Sequence, residues 1–121
     1  MNGWVWIGVA LLSGIAAIGR FLLVRLLSSR LKGVFPLGTF AVNMTGTLLL
    51  GLLAGLAVQG DALVLMGAAT LGSYTTFSTW MLETHRLIED RGIPAAAINI
   101  LLSLAGGMAG VALGRAIGAH I

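Results

Sequence analysis

Ten consecutive residues hold most of the chemistry this chain offers. Residues 70–79 read Thr-Leu-Gly-Ser-Tyr-Thr-Thr-Phe-Ser-Thr, and seven of those ten side chains carry a hydroxyl. They sit inside an apolar run, flanked by residues 63–69 and 80–82. Gly72 among β-branched Thr and Ser makes a poor helix, because these side chains compete for the backbone's hydrogen bonds. Interrupted backbone at membrane depth is tolerated only inside protein or along a polar cavity. It frees carbonyls for a cation, and N–H groups at a half-helix start for an anion. An ordinary helix absorbs one or two hydroxyls by back-bonding, but a cluster of this density predicts a polar path.

The second apolar run adds Thr39, Asn43 and Thr47 at i, i+4 and i+8, on one helix face. A lone Asn in a membrane helix commonly bonds a neighbouring helix. Opposite a hydroxyl-rich broken segment, the Asn43 amide reads as a pore-lining donor. Arg20 interrupts the first run, and either snorkels to the interface or stands as a fixed positive charge at a vestibule. No Asp or Glu lies inside the apolar runs, so the deep polar groups are donors, neutral hydroxyls and one cation. That pattern favours an anion. P-loop and zinc-protease motifs are absent, there is no Cys, and His85 and His120 lack ligand partners at helical spacing. The histidines read as interfacial or solvated, and the chain does not read as an enzyme.

The elements that must hold these groups follow from composition. The 121 residues are 58% hydrophobic and 9% charged, against about a quarter charged in soluble domains. The net charge of +3 comes from basic residues scattered at the ends of apolar runs, which marks membrane boundaries and excludes nucleic-acid binding. Charge-free runs cover 1–19, 33–60, 62–82 and 92–114, each long enough for a helical span. The expectation is an all-α integral membrane protein, one domain of four transmembrane helices at about 4–27, 34–58, 62–83 and 93–117, the third broken mid-membrane. Nothing basic precedes Arg20, and Trp4 and Trp6 suit an interfacial anchor, so the first run reads as a retained helix. Gly106, Gly110, Gly114 and Gly118, and separately Gly51 and Gly55, form ridges for close helix packing. Four short helices enclose little volume, so a path requires at least a dimer. Arg25, Arg30, Lys32, Arg86 and Arg91 lie in the two odd-numbered loops against Arg115 opposite, a bias that places both termini outside.

Three segments together resemble the Fluc (CrcB-type) fluoride channels: Gly14 to Arg20, Pro36 to Gly46 with its G-T-x-x-V-N-x-x-G pattern, and Gly72 to Trp80 with T-T-F-S-T. The resemblance covers all four helices in order. It implies an antiparallel, dual-topology dimer in the plasma (inner) membrane, with two narrow fluoride paths along the interface. It implies a structural sodium ion at the dimer centre, held by the backbone carbonyls of Gly72 and Thr75 from each subunit. By motif position, Asn43 is the pore asparagine, Arg20 the vestibule arginine and Phe77 the first pore phenylalanine. Ser78, Thr79 and Ser103 fall on the polar track, and Thr39 shares the Asn43 face. The implied activity is passive fluoride export that protects the cytoplasm.

Two features depart from that pattern. Trp80 stands where the family has a second phenylalanine, keeping a ring edge and adding an indole N–H donor. The loop charge bias sits badly with insertion in both orientations, so a heterodimer with a paralogue stands beside the favoured homodimer. Two other classes remain in view. A small dimeric multidrug transporter requires an intramembrane carboxylate, and a non-transporting assembly protein leaves the hydroxyl cluster without a use.

Overall fold

The computed structural model describes residues 2–31, 33 and 35–121. The expected start of the second span at Val34 and the loop charge Lys32 lie outside the described residues. Helices are the only regular elements among the described residues. They are α1 (Gly3–Arg30), α2 (Leu37–Gly55), α3 (Gly60–Leu63), a π-helix (Val64–Leu71), α4 (Gly72–Tyr74), α5 (Ser78–Arg91) and α6 (Ile93–Ala119). At 28, 19 and 27 residues, α1, α2 and α6 are long and apolar enough to cross a membrane. The segment 60–91 runs between α2 and α6 as a chain of shorter pieces.

Local chemistry sets the ends of these helices. Asn2 caps α1 by accepting the Val5 N–H at 3.1 Å. Gly92 joins α5 to α6 at φ 96°, a backbone angle that favours glycine, and a proline follows in the first turn of α6. Buried apolar side chains are few and mostly small, among them Val42, Ala69 and Ala96. The large ones point outward, Trp4, Leu11, Ile15 and Ile18 along α1 for example. Such an inside-out distribution belongs in lipid, where apolar burial drives no helix association.

Close approach of backbones takes the place of a large core. A Cβ on Gly51 would meet the Val111 carbonyl, one on Gly55 the Arg115 carbonyl, and one on Gly114 the Leu48 carbonyl. On Gly118 it would lie 2.6 Å from the Leu52 carbonyl. The two glycine ridges therefore face each other within a single chain, as the α2–α6 crossing. The other end of that crossing is looser, since a Cβ on Gly106 would meet the Met44 Sδ at 2.7 Å.

The third segment is interrupted at the far end of the Gly72–Thr75 stretch where the sequence places the break, and the interruption runs on to Phe77. Gly72 is helical, and its N–H bonds the Gly67 carbonyl five residues back. Regular structure stops after Tyr74, with Thr75 extended at φ −82°, ψ 162°, and resumes at Ser78. The π-helix upstream carries the helix past Gly72. Its carbonyl at Ala69 accepts from Ser13 Oγ of α1 at 3.2 Å, and Thr70 Oγ1 donates to Leu65 O at 2.6 Å.

Candidate functional site

The break is held open by one amide. Asn43 Oδ1 accepts the Thr76 N–H at 2.9 Å, and Asn43 Nδ2 donates to the Thr76 carbonyl at 3.0 Å. Both backbone groups of Thr76 are thus satisfied from α2, as buried backbone requires. Thr76 Oγ1 in turn accepts the Thr79 N–H at 3.2 Å and starts α5. These substitutions displace two α-helical bonds. Thr76 N–H would have closed on Gly72 O, and Thr79 N–H on Thr75 O. Among the described residues neither carbonyl accepts a hydrogen bond.

The hydroxyl cluster divides into spent and unspent groups. Thr70 and Thr75 donate to carbonyls of the preceding turn, Thr76 accepts as above, and the Tyr74 hydroxyl lies 2.9 Å from Thr45 Oγ1. Ser73, Ser78 and Thr79 make no side-chain hydrogen bond among the described residues, and neither does Ser103. Asn43 spends its oxygen and one N–H on Thr76 and keeps its second N–H.

Two cavities flank the break. A groove of about 910 Å³ is lined by Asn43, Gly72, Thr75, Phe77, Trp80 and Ser103 among others, so it gathers five of the expected groups with Gly72. Phe77 is 69% exposed, and its ring meets Trp80 edge to face, centroids 5.7 Å apart at 81°. A smaller cleft of about 260 Å³ is lined by Arg20, Phe21, Val24, Arg25, Thr76 and Thr79. Among the described residues, every charged one lining either cavity is an arginine: Arg20 and Arg25 in the cleft, Arg115 in the groove. Ser78 is exposed and Thr39 buried, and neither lines either cavity.

The family model for CrcB-like protein, Camphor Resistance (CrcB), matches residues 7–115. The chain belongs to the CrcB-like family. One relative, from Mycobacterium bovis, is named fluoride-specific ion channel FluC 2; it is 52% identical, over 92% of this chain and 88% of its own length. Another, fluoride-specific ion channel FluC 1 of Symbiobacterium thermophilum, is 44% identical over 95% and 96%. A third, fluoride-specific ion channel FluC of Novosphingobium aromaticivorans, is 42% identical over 90% and 91%.

This CrcB-like chain also contains a polar cluster that reading the sequence did not single out. Thr39 Oγ1 donates to Glu83 Oε1 at 2.7 Å, while Glu83 Oε2 and Trp80 Nε1, one helical turn apart on α5, are buried without partners among the described residues. Behind them Asn99 Nδ2 donates to Thr84 Oγ1 at 2.9 Å, and Thr84 Oγ1 to the Trp80 carbonyl at 2.8 Å. Charge counting treats Glu83 as the end of a span, which hides its burial. The signal available was Asn99, the single amide in the last apolar run.

Proposed function

We propose that this chain is a fluoride channel, working as an antiparallel homodimer that lets fluoride leave the cell passively across the inner membrane. The observation that carries the anion reading is the lining of the two cavities: among the described residues arginines are their only charged groups, and the other polar side chains, set in a largely apolar wall, are hydroxyls, one amide and the Trp80 indole. The relatives named as fluoride-specific ion channels supply the identity of the anion.

The mechanism rests on replacing water. Fluoride is small and strongly hydrated, so it enters a narrow bore only where protein donors stand in for its shell. Arg20 and Arg25 draw the anion to the cleft. The unspent hydroxyls of Thr79 and Ser103, the free Asn43 N–H and the electropositive edge of Phe77 then offer successive contacts. Ser78, on the exposed surface beside Phe77, and Trp80 complete the path once a partner closes over the groove. Thr39 acts indirectly, by holding Glu83. A bore narrow enough to strip fluoride of its water would disfavour the larger chloride.

Four membrane crossings are proposed, with residues 60–91 forming the third. A second copy is the occupant proposed for the open groove. Two features support it: Phe77 lies exposed on the groove, and the carbonyls of Gly72 and Thr75, also on its wall, have lost their helical partners. Hard, neutral carbonyl oxygens of that kind suit sodium, so Gly72 and Thr75 of both subunits are proposed as its ligands. Bound there, the ion would coordinate the otherwise unpaired carbonyls and add positive potential near the path. A proton-coupled drug transporter is disfavoured, because Glu83 is engaged by Thr39 and lines neither cavity.

Reconstitution tests the proposal. Liposomes carrying only this chain should release fluoride rapidly and chloride at the protein-free rate. Equal release of the two ions, or no fluoride release, overturns it. Release only after a paralogue is added would replace the homodimer with a heterodimer.

A further inference from the structure

The two cavities share one residue, Thr76. The residue is 7% exposed, and its backbone N–H and carbonyl are both held by Asn43. The residue therefore cannot turn aside without breaking two hydrogen bonds. Its hydroxyl oxygen already accepts the Thr79 N–H, and its hydroxyl hydrogen has no acceptor among the described residues. A hydroxyl that accepts from an N–H is polarised toward donation, and it directs its hydrogen away from that N–H.

We propose that Thr76 is an anion ligand at the septum between cleft and groove. Its Oγ1–H takes the ion from the Arg20–Arg25 mouth and releases it toward Phe77 and the remaining Asn43 N–H. A hydroxyl donating to a full negative charge makes a short, charge-assisted bond, strong enough to compete with the ion's water. The arrangement also explains why a single clamp holds this residue. Asn43 fixes the donor at the one point where two separate spaces adjoin, and so serves the path as well as the fold. The inference rests on the proposed fluoride path and deepens it.

Fluoride efflux from liposomes, scaled to monodisperse protein incorporated, tests the role through variants that separate donor from helix cap. Thr76→Ser keeps both and should conduct close to the parent rate. Thr76→Val keeps shape and loses the hydroxyl, and should lower flux by about tenfold, the equivalent of ~1.4 kcal/mol in barrier. The fluoride concentration giving half-maximal flux should rise with it, which a merely structural role would not produce. Thr76→Asp keeps an oxygen to accept the Thr79 N–H but supplies no donor and adds negative charge. It should abolish flux. Parent-like flux in Thr76→Asp or Thr76→Val reduces the residue to a cap and overturns the proposal, as does an equal loss in Thr76→Ser and Thr76→Val. Absence of efflux from the parent protein would instead overturn the channel reading itself.

Discussion

Helix α2 meets two neighbours in opposite ways. Toward α6 it offers Gly51 and Gly55, and the two backbones close on each other with no side chain between them. Toward the third segment it offers Asn43, whose amide stands in for a missing turn of helix. On the first side the facing backbones are hydrogen-bonded along their own helices, and contact is a matter of shape. On the second, satisfaction is borrowed from another element, so shape and chemistry cannot be varied separately. The contrast shows how a small membrane chain divides its labour. The glycine crossing supplies rigidity without using polar groups, which leaves these for the interrupted segment.

Perturbing each side should break different things. Gly114→Val pushes a side chain into the Leu48 carbonyl, and the helices must part. At a cost of about 3 kcal/mol or more, folded protein should be lost, read as a collapse of the monodisperse peak in detergent. A normal yield would show that the crossing is looser than its geometry. Asn43→Asp should leave the crossing intact while removing the donor to Thr76 O and placing negative charge at the break. Fluoride flux should vanish, with stability lower by ~1–3 kcal/mol for the unpaired carbonyl. Undiminished efflux would detach the clamp from the path.

Smaller changes sharpen the comparison. Phe77→Ile preserves bulk but not the ring edge, and should lower flux by about tenfold, near the value of one aromatic contact. Trp80→Phe should conduct, since the edge survives. Parent-like flux in Phe77→Ile would make that ring mere packing. The least effect is expected from salt. If the carbonyls released at the break hold sodium, melting should rise by about 5 °C in sodium over potassium at equal ionic strength. Coincident curves with protein purified free of sodium would remove the site.

Much of this was legible in the order of residues. Glycines four apart announced a close crossing, and the cluster at 70–79 announced an interruption, because both depend on local composition. Their partners were not legible. Nothing in Gly106 to Gly118 says that the ridge is spent on α2 inside one chain rather than on another subunit. The break was expected across Gly72–Thr75 and opens only at Thr75, leaving Gly72 helical, because a π-helix and the Asn43 amide act from outside the motif. Seven hydroxyls looked equivalent as letters, and among the described residues the fold leaves only Ser73, Ser78 and Thr79 unengaged. Glu83 and Asn99 escaped notice because burial of a polar group is a property of its neighbours.

The π-helix at Val64–Leu71 has a consequence for register. A π turn holds an additional residue relative to an α turn, so everything downstream is rotated by about 100° and advanced by ~1.5 Å for each residue absorbed. Gly72, Thr75 and Phe77 owe their common side of the segment to that phase. Deleting one residue within 64–71 should let the coil relax to α geometry and swing the Gly72 and Thr75 carbonyls away from the groove, although every named side chain remains. A chain of nearly parental composition, still able to insert, would then have its interrupted strand of backbone facing lipid or α1. The extra residue works as an angular offset, and the length of the segment is as much a part of the pathway as the groups along it.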